Sequence, residues 1–220
     1  MSNQSTTLPY SRIILSICFF LIVPIFSPLI NMVIQNQLIA YTFTVSLSGL
    51  LLMIQNWDLL EIHGKRFKDD SKEATFFTIL GILVLSFIVW ANHTYLKAFL
   101  PFIDPEILSS FTWFIIPIFL VNTFVFAMNY VLVFKCVTDR LKLKHAEAVV
   151  ILLSGFLFAL LFTVTYIPFD VIAWLKGYLF YFIITVIISY LYNQTHSFLP
   201  GMISFGFVLF LFNLLNYLGM

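Results

Sequence analysis

The sequence predicts an all-α protein, a polytopic bundle of about seven transmembrane helices. Three observations carry this. Of 220 residues, 61% are hydrophobic and only 10% are charged, with a mean hydropathy of +1.03. Soluble domains carry about 25% charged residues, and a disordered tail would not hold 19% aromatics. Seven apolar runs approach the roughly 20 residues that a bilayer core requires of a helix. The basic residues are also unevenly distributed between the loops that join those runs. A formal net charge of +1 argues against a nucleic-acid partner, which would call for a clustered basic surface.

The runs lie at about 13–33, 38–54, 75–91, 111–134, 148–166, 174–191 and 202–218. The first is too long for a cleavable signal core, and no small-x-small site closes it, so it reads as a retained span. It contains Pro24 and Pro28 and the fourth contains Pro117; each removes a backbone donor and bends its helix. The second run is short, and its ends extend into flanking polar residues. The segment 55–74 carries mixed charges and reads as a solvated connector. Asp70 followed by Glu73 resembles a capping box opening the third span. Asp104–Pro105 reads as a cap and first helical residue before the fourth span. Asp170 stands in the same relation to the sixth.

With seven spans, one side receives Arg12, Lys65, Arg66, Lys68, Lys72, Lys135, Arg140, Lys142 and Lys144, and the other only Lys97 and Lys176. The positive-inside rule then places the N-terminus in the cytoplasm and the C-terminus outside. Trp90, Trp113 and Trp174 fall at the external span ends, where indole prefers the interface. The whole chain, 1–220, reads as a single integral membrane domain without internal repeats.

No Asp, Glu, Lys, Arg or His falls near the middle of a span, where such groups usually mark function. His63, His93, His145 and His196 lie in loops or at span edges, without metal-ligand spacing. His63 and His145 stand among charges and read as solvated. Cys18 and Cys136 form no CxxC or Cys/His cluster, so no metal and no cofactor is expected. The polar residues within spans are amides and hydroxyls. Asn122 and Asn129 share a helix face, as do Asn213 and Asn216; Ser154, Thr163 and Thr165 add hydroxyls. Interhelical hydrogen bonding accounts for them at about 0.6–2 kcal/mol per bond. A polar pocket made by Asn122, Asn129, Ser154 and Asn213 is the functional alternative.

Residues 130–142 read YVLVFKCVTDRLK, 154–162 read SGFLFALLF and 195–205 read THSFLPGMISF. In this order and spacing, the region 111–218 resembles the CPBP family, the CAAX-protease and bacteriocin-processing intramembrane endopeptidases. That family carries E-E-x-x-F-R-G, then S-x-x-x-F-x-x-x-H, then T-G-S-x-x-P-x-x-x-x-H. Here Phe134, Ser154, Phe158, Thr195, Ser197 and Pro200 match. The two glutamates are Tyr130 and Val131, and Lys135 and Cys136 replace the arginine and glycine. Phe162 and Phe205 stand where the histidines belong. A four-residue slip would instead put Leu209 and Asn213 at the last histidine and its following amide.

The resemblance implies a helical bundle in which the glutamates and histidines activate water for peptide hydrolysis. Tyr, Val and Phe cannot take those roles: a phenol, with a reference pKa of about 10, is a poor base at neutral pH. The expectation is therefore a pseudoenzyme of the bacterial plasma membrane, acting as a scaffold, a peptide-binding protein or a bacteriocin self-immunity factor. Its expected partners are the lipid bilayer and a membrane peptide or another membrane protein. Two alternatives stand beside it. One is an active endopeptidase using Glu147, His145, Asp139 and His196; the other is an accessory subunit of a transporter.

Overall fold

The computed structural model describes residues 9–96, 115–142, 146–166 and 171–218. Helix makes up 95% of it, and no strand occurs among the described residues. The helices are α1 (Tyr10–Ile34), α2 (Gln37–Gln55), α3 (Trp57–Asp69), α4 (Ser71–Ala91), α5 (Ile115–Lys142), α6 (Glu147–Tyr166), α7 (Val171–Thr195) and α8 (Leu199–Leu218). A π-helical turn, Asn92–Leu96, continues α4.

Among the described residues, five helices are long and apolar enough to cross a membrane: Tyr10–Ile34, Gln37–Gln55, Ser71–Leu96, Ile116–Asp139 and Trp174–Thr195. The apolar stretches described in α6 and α8 are shorter, Ala148–Leu157 and Leu199–Leu215. Large apolar side chains such as Ile25, Leu29, Leu50, Phe76, Leu83 and Phe87 face outward. Water penalises such a surface and hydrocarbon does not, so these helices fit an integral membrane protein in a lipid bilayer.

The junctions are short because caps close them locally. Gln35 adopts a left-handed φ of 53° and donates its N–H to the Asn31 carbonyl, ending α1. The Asn36 side chain then accepts from Ile39 N–H and opens α2. At Asp70 the expected capping box is absent, because the Asp70 side chain makes no cap hydrogen bond. The backbone closes the corner instead: Asp70 N–H donates to the Arg66 carbonyl, and the Asp70 carbonyl accepts from Ala74 N–H.

The segment read as a connector is largely helical. α3 places Leu59 and His63 one turn apart on one face, and both are buried. Asp58 in its first turn and Arg66 and Lys68 in its last suit the helix dipole. His63, expected in solvent, is 1% exposed, because α3 lays this face against the bundle.

α5 is the axis of the packing. Of its spanning stretch 61% is buried, against 17% for α1. It touches α1, α2, α6 and α8, while α4 packs on α7 and α8 and α6 packs on α7. Two close approaches depend on glycine. A Cβ on Gly49 of α2 would sit 2.5 Å from Val125 Cγ1 on α5, and one on Gly81 of α4 would sit 2.5 Å from Ser204 Oγ on α8. The chain alternates so that the start of α1, the ends of α2, α5 and α7, and the start of α8 meet around α3. Contacts from Arg12 to Asn56, Cys136 to Asn56, Tyr192 to Asp139 and Ser197 to His63 fix this end.

Candidate functional site

Tyr130, Val131 and Phe134 lie in the buried part of α5, and Phe205 lies in the buried part of α8. The Tyr130 and Phe205 rings meet at 5.5 Å between centroids. Phe126 packs on both, at 6.4 Å and 6.3 Å, and Phe20 meets Tyr130 edge-on at 6.4 Å. The Thr185 hydroxyl donates to the Tyr181 carbonyl at 2.7 Å, so the Tyr130 phenol donates to Thr185 Oγ1 at 2.5 Å. The centre is a set of interlocked rings with one phenol turned to a threonine. Phe158 and Phe162 belong to α6, but their side chains, with that of Ser154, lie outside the described residues.

The two amides of α5 face α2. Asn129 Nδ2 donates to Ser48 Oγ at 3.2 Å, and Ser48 donates onward to the Phe19 carbonyl of α1 at 2.8 Å. Asn122 Nδ2 donates to Thr42 Oγ1 at 3.0 Å, and Thr42 donates onward to the Leu38 carbonyl at 2.7 Å. Each hydroxyl has committed its proton, so each amide must donate. That leaves Asn122 Oδ1 and Asn129 Oδ1 buried and, among the described residues, unpartnered. Asn213 bonds within its own helix, to the Leu209 carbonyl at 2.9 Å, and does not join them.

The ionisable groups gather at the α3 end in two clusters. In the first, Arg12 pairs with Asp58 and donates through Nε to Asn56 Oδ1 at 2.9 Å. The fully buried Asn56 also donates to Ser16 Oγ at 3.3 Å and accepts from Cys136 Sγ at 3.7 Å. Arg12 holds the Asp58 carboxyl below the usual range. In the second, Lys135 pairs with Asp139 one turn along α5, and its ammonium lies 4.6 Å from the centroid of the Tyr192 ring. Tyr192 donates to Asp139 Oδ1 at 3.2 Å. The His63 ring packs on Phe198 at 4.7 Å and Tyr192 at 6.0 Å, with Nδ1 buried and unpartnered among the described residues. Burial, then the Lys135 and Arg66 charges, push His63 down to about 3, against the smaller pull of the His196 carbonyl. His63 is thus a neutral ring at any ordinary pH while α3 is docked.

Of the relocated catalytic set, Asp139 is engaged by Lys135 and Tyr192, and His196 is exposed at a left-handed φ of 49°. The His145 backbone and the Glu147 side chain lie outside the described residues. Sequence reasoning missed Asn56, Tyr192 and His63 as members of these clusters. The one available signal was the spacing Leu59–His63, one helical turn within a polar segment. Among the described residues no group of three or more His, Cys, Asp or Glu could hold a metal ion. No protein-family model, no curated protein and no solved structure matches the chain.

Proposed function

We propose that this chain is a seven-span protein of the bacterial plasma membrane, N-terminus inside, with a CPBP-like framework whose catalytic positions have been given over to packing. It acts without catalysis, by holding a membrane peptide or another membrane protein, as a scaffold or a bacteriocin self-immunity factor does. The observation that carries this is the contact of Tyr130 with Phe205. The resemblance assigns one to a glutamate position and the other to a histidine position, and the fold brings both into one aromatic core. A water-activating site needs a base and an oxyanion donor around an open volume. Here rings occupy that volume, and the phenol is engaged by Thr185. Converting such a site to packing removes buried polar groups that would cost about 1–3 kcal/mol each if left unpaired. The orientation rests on the basic residues at the α3 end, Arg12, Lys65, Arg66, Lys68, Lys72 and Lys135.

The test is purification of the full chain from its native membranes in mild detergent, followed by mass spectrometry and a peptide-cleavage assay. The expected result is a stoichiometric membrane peptide or protein and no cleavage. Cleavage that Asp139→Asn abolishes would replace this reading with an endopeptidase working at the α3 end.

A further inference from the structure

α3 is held to the bundle at its start by the Asp58–Arg12 ion pair and by Leu60, partly buried against the core. Leu59 and His63 are its fully buried side chains. The Ser197 hydroxyl donates to the His63 carbonyl at 3.1 Å, and Arg66 Nη1 donates to the His196 carbonyl at 3.1 Å. Trp57, Glu61, Lys65, Lys68 and Asp69 face outward, and a Cβ at Gly64 would meet nothing within 4 Å among the described residues. His63 is the one titratable side chain of this helix that is fully buried.

Its surroundings are set against a proton. From α5 the ring faces Lys135, whose partner is Asp139; Asp139 is also taken up by the Tyr192 hydroxyl of α7. From α3 it faces Arg66, and from the turn before α8 the His196 carbonyl. The His196 imidazole is exposed, and α8 presents the apolar Phe198 ring. Nδ1 has no partner among the described residues, so a proton there would create a buried donor with no acceptor among them, beside two cations. An imidazolium needs water or a carboxylate.

We propose that His63 is an acid-release latch: when its ring takes up a proton, α3 leaves the end of the bundle and uncovers the turn at Ser197 and the Lys135–Asp139 pair. The sign follows from linkage. A docked ring titrates near 3 and a released ring near 6.5. Docking is thus at full strength above about 6.5 and is lost as pH falls below it. Between pH 7 and pH 5 the released population grows by roughly 25-fold.

A single thiol reads this out. Ser197→Cys, in a chain with Cys18→Ser and Cys136→Ser, puts a near-isosteric probe beneath His63. The full chain in detergent micelles is labelled with a water-soluble methanethiosulfonate. Each rate is divided by that of the unfolded chain at the same pH, which removes the thiolate dependence. The normalised rate should rise roughly 25-fold from pH 7 to pH 5 and return on neutralisation. Adding His63→Gln, or separately His63→Phe, should flatten the profile. A flat profile with His63 intact overturns the latch without any histidine variant. A rise that persists in both variants overturns it as well, by assigning acid release to another group.

Discussion

Tyr130 on α5 and Phe205 on α8 meet at 5.5 Å between ring centroids, tilted by 57°, each at most 1% exposed. The pair makes a specific expectation about reversion. Tyr130→Glu would place a carboxylate among Phe20, Phe126 and Phe205, where burial disfavours charge. A charge at bilayer depth costs about 3 kcal/mol on insertion scales. Phe205→Leu keeps the site apolar and loses mainly ring packing, about 1 kcal/mol. Equilibrium unfolding in mixed micelles should rank Tyr130→Glu well below Phe205→Leu. Equal losses would mean that the centre is not closed to water.

The same contact shows what the sequence could and could not disclose. Hydropathy marks every described helix except α3, since each apolar run falls within one wherever it is described. The spacing of Asn122 and Asn129 puts them on one face, and the structure aims both at α2. Their partners Thr42 and Ser48 were not legible, because one-dimensional spacing says nothing of which helix comes alongside. α3 was missed because its charges hide a short inward face, Leu59, Leu60 and His63, that has meaning only once the bundle end exists to receive it. The Asp70 cap failed because the corner closes through backbone bonds on either side, so the carboxylate is not needed.

Gly81 and Ser204 provide a paired test of the α4–α8 contact. A methyl at Gly81 would lie 2.5 Å from Ser204 Oγ and 2.8 Å from Leu191 Cδ1. Overpacking of this kind costs about 1–3 kcal/mol. Ser204→Gly would lose the bond from Ser204 Oγ to the Thr78 carbonyl but would make room. Gly81→Ala with Ser204→Gly should therefore be more stable than the sum of the two single losses predicts, by about 0.5 kcal/mol or more in a double-mutant cycle. Strict additivity would show that the helices are free to move apart.

The amide relays predict an order that side-chain size does not. Asn129→Leu gives up a bond worth about 0.6–2 kcal/mol, but it also removes a buried acceptor without a partner, Asn129 Oδ1. These nearly cancel, and Ser48 keeps its bond to the Phe19 carbonyl. Ser48→Ala loses that bond and leaves Asn129 Nδ2 with only the Val45 carbonyl at 3.4 Å. Ser48→Ala should be the more destabilising change, by about 1–2 kcal/mol. The reverse order, seen by denaturant titration in micelles, would show that Asn129 Oδ1 has a partner after all.

Asn56 and Asp58, two residues apart, should differ in both size and pH dependence. Asn56 is fully buried and links Arg12, Ser16, Cys136 and the Leu52 carbonyl. Asn56→Ala should cost about 1–3 kcal/mol, with little change across the carboxylate range, since an amide does not titrate there. The Asp58 side chain is 58% exposed, so its pair with Arg12 is screened and worth less than about 1 kcal/mol. Its folded-state pKa lies below the ordinary value of 3.8. Its contribution is therefore present above that value and lost as pH falls through the lower, folded one. Asp58→Asn should be slightly destabilising at pH 7, and the gap to the parent should close in acid. The two changes share Arg12, so their combined loss should fall short of the sum. If Asp58→Asn instead matched Asn56→Ala at pH 7, the ion pair rather than the buried amide would hold α1 to the start of α3.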